Sequence, residues 1–255
     1  MKLNIILPTL IMLISVNAFG QDNYEIQVYP SETVSPGITM VELHSNYTPR
    51  GMTFGDGVRP SQDALHETLE VTHGFNPWFE LGFYMFTNVH SGYGWEWVGD
   101  HIRPRVRVPE SWDWPVGVSL SAEVGYQRPE YSADTWTLEL RPIIDRDFSW
   151  VYLAINPTFG LSFKGENQKK GFDFEPNLKV AFHLTNQIDL GAEYYGTTGP
   201  AFSPDPIQDQ SHSIFAAVDL NVSPEWEFNF GTGWGLTRST DGIVVKMILG
   251  RRFGG

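Results

Sequence analysis

The 255-residue chain contains no cysteine, which excludes disulfides, thiolate catalysis and cysteine-ligated zinc. Basic residues are scarce: 17 Lys and Arg stand against 30 Asp and Glu, a formal charge of −13. Phosphate binding needs clustered Lys and Arg, so nucleic acid is not expected as a partner. Helical periodicity is missing as well. The 25 Gly and 17 Pro fit a chain of many turns better than a chain of helices. Beyond residue 20 no apolar run approaches the about 20 residues of a spanning helix. A membrane protein made from that part of the chain has to be a closed barrel.

The one long apolar run is at the start, "MKLNIILPTLIMLISVNAFGQD". Lys2, the run from Leu3 to Val16, and the small residues Ala18 and Gly20 before Gln21 read as a secretory signal peptide over residues 1–20. The alternative is an uncleaved anchor. No cysteine follows it, so a lipoprotein is not expected. Residues 21–36 are expected at the periplasmic side, as a short strap or plug, and residues 37–255 as one barrel domain.

What the rest of the chain has is alternation with a period of two. Twelve runs show it, near residues 37–48, 64–74, 79–89, 99–108, 116–126, 134–145, 150–162, 172–184, 188–196, 210–222, 226–236 and 242–253. Connections after even-numbered runs are mostly tight, as at Asn76-Pro77-Trp78 and Thr185-Asn186-Gln187. Those after odd-numbered runs include the long ones: Pro49–Asp63, His90–Val98, Lys164–Gly171 and Thr197–Asp209. Alternating short and long connections with an even strand count indicate an all-β fold, a single antiparallel transmembrane β-barrel. Its short turns would face the periplasm and its longer loops the outside.

In "NPWFELGFYMF" (residues 76–86), Phe79, Leu81, Phe83 and Met85 share one face, while Glu80 and Gly82 share the other. The same division runs through the chain. The polar parity carries Glu70, Glu80, Arg103, Arg105, Arg107, Glu123, Glu139, Arg141, Lys179 and Glu193 together with many glycines, and among the inferred strands lysine is confined to Lys179 and Lys246. A solvated sheet favours Lys and Thr on its wet face, and glycine weakens an exposed strand. A crowded interior has room for glycine and lets Arg pair with Glu. Five of the nine tryptophans, Trp78, Trp112, Trp114, Trp150 and Trp226, fall at inferred short turns, where an aromatic girdle would mark a membrane interface.

"GIVVKMILGRRF" (Gly242–Phe253) resembles the closing strand of Gram-negative outer-membrane β-barrel proteins. Phe253 matches its aromatic end and Lys246 its upstream basic residue; Arg251 stands where that signal has a hydrophobic residue. "HETLEVTHGFNPWFELGFYMF" (His66–Phe86) is similar to the strand-turn-strand of barrels grouped as phenol-degradation (MetA-pathway) outer-membrane proteins. The resemblance implies a bacterial outer-membrane location, with membrane lipid and the outer-membrane assembly machinery as partners. It also implies passage of a small solute of unknown identity. It carries over no catalytic or ligand-binding residue.

Arg103, Arg105 and Arg107 form an i, i+2, i+4 ladder on one lumen-facing strand. Such a ladder could attract anions at a constriction, or it could neutralise Glu80, Glu123 and Glu139 and fill the interior. Paired carboxylates are frequent enough to raise glycosidase chemistry, but beside arginines they read as ion-pair partners. His66, His101 and His183 lie on the polar parity as isolated polar residues, and no two histidines have a metal-like local spacing. No metal and no cofactor are expected. His44-Ser45 and His212-Ser213 are adjacent pairs, and neighbours in a strand face opposite sides, so neither forms a nucleophile–base pair on one wall. Passive solute transport across the outer membrane is the leading expectation. A lipid-modifying outer-membrane enzyme and a closed structural or adhesion barrel with binding loops are the alternatives.

Overall fold

A computed structural model describes residues 23–53 and 58–254; the signal-peptide expectation for residues 1–20 lies outside them. Twelve antiparallel strands close into a barrel. In chain order they are β1 (Thr39–Arg50), β2 (Ala64–Asn76), β3 (Phe79–His90), β4 (Gly94–Arg107), β5 (Gly117–Gln127) and β6 (Asp134–Asp147). They continue as β7 (Val151–Gly165), β8 (Phe172–His183), β9 (Ile188–Thr197), β10 (Ser211–Leu220), β11 (Trp226–Gly235) and β12 (Ile243–Phe253). Each strand pairs with its sequence neighbours, and β1 pairs with β12 from Thr39↔Phe253 to Tyr47↔Val245. Closure leaves no strand edge with unpaired backbone groups.

The strand ranges expected from alternation agree with these within two residues, apart from β4 and β7. Strand β7 continues to Gly165 rather than stopping at residue 162. Strand β4 begins at Gly94 rather than at residue 99, so "GYGWEWVG" is largely strand and the connection expected to be long is the turn Ser91–Tyr93. Two features account for the difference. Gly94 takes a left-handed φ of 77°, which lets the chain reverse tightly. A bulge then sets Phe86 opposite Gly99 and Thr87 opposite Trp97, and the extra residue breaks the period of two on which the sequence reading rests.

The two faces have the chemistry that the alternation implies. Phe83, Ile102, Leu120, Ile155, Val180 and Phe230 point outward and are exposed. Glu70, Glu80, Arg103, Arg141, Glu193 and Lys246 point inward and are buried. An apolar belt around a closed barrel is the surface a bilayer requires. Trp78, Trp112, Trp114 and Trp150 project at the short-turn end, Trp112 from a 3-10 turn, Glu110–Trp112, between β4 and β5. Trp226 is partly covered, stacked on Phe228 with 5.8 Å between ring centroids. A second rim stands at the other end, where Trp95, Trp136 and Trp234 are exposed at the long-loop ends of β4, β6 and β11. Arg251 takes an outward position between the rings of Trp226 and Phe253, 5.0 Å from each. That cation–π seat at the rim is how an arginine occupies a slot that closing strands usually give to a hydrophobic residue.

Candidate functional site: the barrel lumen

The lumen is occupied by the chain's own N-terminal segment. Residues 21–36 are expected at the periplasmic side as a short strap or plug; the described part, residues 23–36, fills the lumen as a plug but is not confined to that side, running from one end of the barrel to the other. At the short-turn end Gly37 N–H donates to Gly74 O at 2.8 Å. Gly74 is required there, because a Cβ would lie 2.2 Å from Val34 O. Val34 N–H donates to Glu80 Oε2 (2.6 Å), and Ser31 donates from its N–H and hydroxyl to the Asp145 carboxylate (2.8 and 2.6 Å). At mid-height Asn156 grips Tyr29 like a neighbouring strand: Tyr29 N–H donates to its Oδ1 (2.7 Å) and its Nδ2 donates to Tyr29 O (3.0 Å). Lys246 Nζ reaches Ile26 O at 3.1 Å and Thr68 Oγ1 donates to Tyr24 O at 2.7 Å. At the long-loop end Asn23 Nδ2 donates to Asp241 Oδ2 at 2.7 Å. The segment is extended and has no strand partner, so the charged and amide side chains of the wall satisfy its backbone. An unpaired buried peptide group would otherwise cost about 1–3 kcal/mol.

Every lumen candidate read from the sequence is placed inside the barrel, and most sit in ion pairs. Arg103 Nη2 lies 2.6 Å from Glu70 Oε1 and 3.4 Å from Glu80 Oε1, and Arg105 Nη2 lies 2.7 Å from Glu80 Oε1. Arg105 also donates to Pro30 O (3.0 Å) and Glu32 O (2.8 Å). Arg107, at the short-turn end, meets Glu110 at 3.0 Å. The ladder is therefore held by carboxylates and by the lumen segment. Its partners differ in part from those expected: Glu80 belongs to it, while Glu123 pairs with His101 (2.5 Å) and Glu139 with Arg141 (2.6 Å). Across the lumen Lys179 meets Glu193 (3.4 Å) and Asp219 (2.8 Å), and Lys246 bonds Glu193 and Tyr195. His183 contacts Asp189 and Asp147, each at 2.8 Å. So His101 and His183 are not isolated polar residues. Tyr29 is the knot of the network: Arg141 and Arg103 lie over its ring at 4.6 and 5.0 Å, and its hydroxyl donates to Glu25 (2.7 Å).

Above the segment, at the long-loop end, is a cavity of about 760 Å³. Tyr24, Glu25 and Ile26 contribute to its floor, and β4, β6, β8 and the loops to its wall. Its lining has eight carboxylates (Glu25, Glu123, Asp134, Glu139, Asp173, Glu175, Asp209, Asp241) against three guanidiniums (Arg59, Arg141, Arg238). The loops above it are tied together. Asp241 accepts from Ser61 Oγ (2.5 Å) and Met52 N–H (3.0 Å) as well as from Asn23. Glu96 meets Arg59 at 3.2 Å and accepts from the Tyr131 hydroxyl at 2.5 Å. Burial, and then that hydrogen bond, push the Tyr131 phenol up, which keeps it a donor at neutral pH.

Sequence reading did not find Asn156 or Asp241. Asn156 has the polar parity, but nothing in its surroundings says that it faces another backbone; Asp241 lies in a loop. The adjacent His and Ser pairs behave as strand geometry requires: His44 is buried inside while Ser45 faces outward, and His212 bonds Tyr194 (2.6 Å) while Ser213 is buried on the other side.

No protein-family model and no curated protein sequence matches the chain. Its fold matches solved outer-membrane barrels. The COG4313 outer membrane channel from Pseudomonas putida F1 has a TM-score of 0.60 at 12% identity, over 90% of this chain and 100% of that one. The NanC porin has a TM-score of 0.53 at 10% identity, over 84% of this chain and 99% of its own. The KdgM porin, solved in complex with disordered oligogalacturonate, has a TM-score of 0.51 at 8% identity, over 85% and 99%. The chain has the barrel fold of these outer-membrane channels and porins.

Proposed function

We propose that the protein is a passive outer-membrane channel for a small polar solute, with its N-terminal segment lying in the path as a displaceable constriction. The cavity at the long-loop end carries this reading: it is charged, it lies on the barrel axis and it is floored by residues of the segment. Hydrogen bonds hold the segment to the wall, and water could replace each of them if the segment withdrew. The excess of carboxylates at the entrance favours cationic or neutral polar solutes over anions, because a cavity lined by one sign of charge concentrates the opposite sign. The paired Arg103, Arg105 and Arg107 ladder does not offset this while the segment is in place.

The chain lacks cysteine, so a tether can be installed cleanly. Ser31 Oγ and Asp145 Oδ1 are 2.6 Å apart, and the pair S31C and D145C would link the segment to β6. In a planar bilayer the reduced protein should show conductance steps with cation preference in a salt gradient, and oxidation should suppress them. Equal steps in both redox states would mean that the path does not need the segment to move. Silence of the untethered protein after verified insertion would reject the channel. That outcome would favour the closed structural barrel, a reading supported by the lumen's ion pairs and hydrogen-bonded filling.

A further inference from the structure

Strand β1 places Glu42 and His44 two residues apart on its lumen face, and β2 places Glu70 directly opposite Glu42. All three are buried, His44 completely. One ligand atom from each lies within 4.8 Å of the others. We propose that Glu42, His44 and Glu70 form a binding site for a first-row divalent cation of the zinc type on the lumen wall. The proposal is independent of whether the lumen conducts.

Three observations carry it beyond mere proximity. First, His44 Nδ1 has no hydrogen-bond partner among the described residues, and His44 Nε2 and Glu70 Oε2 face each other in an ion-pair contact without hydrogen-bond geometry. A fully buried imidazole so poorly satisfied is costly, and a cation between it and the carboxylates removes that cost. Second, His44 Nε2 and Glu70 Oε2 are 3.4 Å apart. That is the edge of a tetrahedron whose metal–ligand bonds are about 2.1 Å, the length of zinc bonds to imidazole and carboxylate. Third, Glu70 is already oriented. Its Oε1 accepts from Arg103 Nη2 (2.6 Å) and Thr72 Oγ1 (2.7 Å), which leaves Oε2 turned to His44. Fixing one oxygen of a carboxylate so that the other can ligate is the usual outer-shell arrangement of metal sites.

Two carboxylates and a neutral imidazole match the charge of a divalent ion; Arg103, which shares Glu70, also has Glu80 at 3.4 Å, and Glu80 is shared in turn with Arg105 at 2.7 Å. Gly250 pairs with Glu42 across β12, and a Cβ there would lie 2.9 Å from Glu42 Cγ, so glycine leaves the space that the Glu42 side chain takes. One nitrogen and two oxygens suit zinc-type ions better than sulfur-seeking copper(I) or all-oxygen calcium sites. Three protein ligands leave a fourth position open for water or a solute group.

The test uses the full-length protein in detergent, stripped with a chelator and titrated with zinc against a chromophoric competitor. Folding is checked throughout by heat-dependent migration on gels. The expected result is one tight zinc site per chain, weakened at least about 100-fold in H44Q and in E42Q. Cobalt(II) in the wild-type site should show the strong visible absorption of four-coordinate cobalt. Zinc held equally by the wild type and both variants would assign binding to other groups and overturn the proposal. No zinc binding, or only the faint spectrum of six-coordinate cobalt, would overturn it too, leaving His44 as an imidazolium shared between two carboxylates. If H44Q does not fold, E42Q and the cobalt spectrum decide.

Discussion

At the scale of single residues, the barrel assigns opposite demands to neighbours in sequence. Glu80 is fully buried and bound to two arginines, while Phe83, three residues on, is 50% exposed on the outer surface. Breaking a buried, hydrogen-bonded pair is costly because the partner is left as an uncompensated charge. On the outside the penalty has a different origin. Changing Phe83 or Leu120 to Arg places a guanidinium in hydrocarbon, and the loss should be about 2–4 kcal/mol if the site is near the midplane. Reversible unfolding from phospholipid vesicles in urea measures it. A change of only a few tenths would mean that this face does not meet lipid.

At the scale of elements, the lumen segment is the part of the molecule with least backbone support of its own. It contributes no strand to the sheet, and it is held by side chains from several strands. Asn156 supplies two of those bonds at one peptide position, Tyr29. Asn156→Ala should therefore loosen the segment without unfolding the barrel, at a cost of about 1–3 kcal/mol to its docking. Amide exchange at residues 28–31 should accelerate about 10-fold or more while exchange in the twelve strands stays slow. Unchanged exchange at those positions would show that the remaining wall contacts hold the segment without Asn156.

At the scale of the whole molecule, two aromatic rims bound the apolar belt, one at the short turns and one at the long-loop ends of β4, β6 and β11. Tryptophan fluorescence should therefore be quenched most by lipid-borne quenchers at interface depth, and little by aqueous acrylamide or by probes at the bilayer centre. Removing Trp95, Trp97, Trp136 and Trp234 should leave emission from the short-turn rim alone. Uniform quenching by acrylamide would dismiss both rims as membrane features. The interior is asymmetric along the same axis. Ion pairs and the segment fill its middle, and the acidic cavity opens at the long-loop end; under the proposed channel function, solute selection is expected from that side.

Which residues face lipid and which face the lumen was legible in the sequence, because side-chain direction in a strand alternates by covalent geometry alone. Strand number and the alternation of turns and loops follow from the same pattern. Where a bulge inserted Val98 into β4, opposite Phe86 and Thr87 of β3, the pattern failed and a hairpin read as a loop. Partners within the lumen were not legible. Arg103 could pair with any of several carboxylates, and only the register of β2 on β3 and of β3 on β4 decides that Glu70 and Glu80 take it. The course of residues 23–36 through the lumen, and the meeting of Glu42, His44 and Glu70, are likewise tertiary facts. An extended segment without periodicity carries no mark of what surrounds it, and a site assembled across two strands exists only once the sheet has its register.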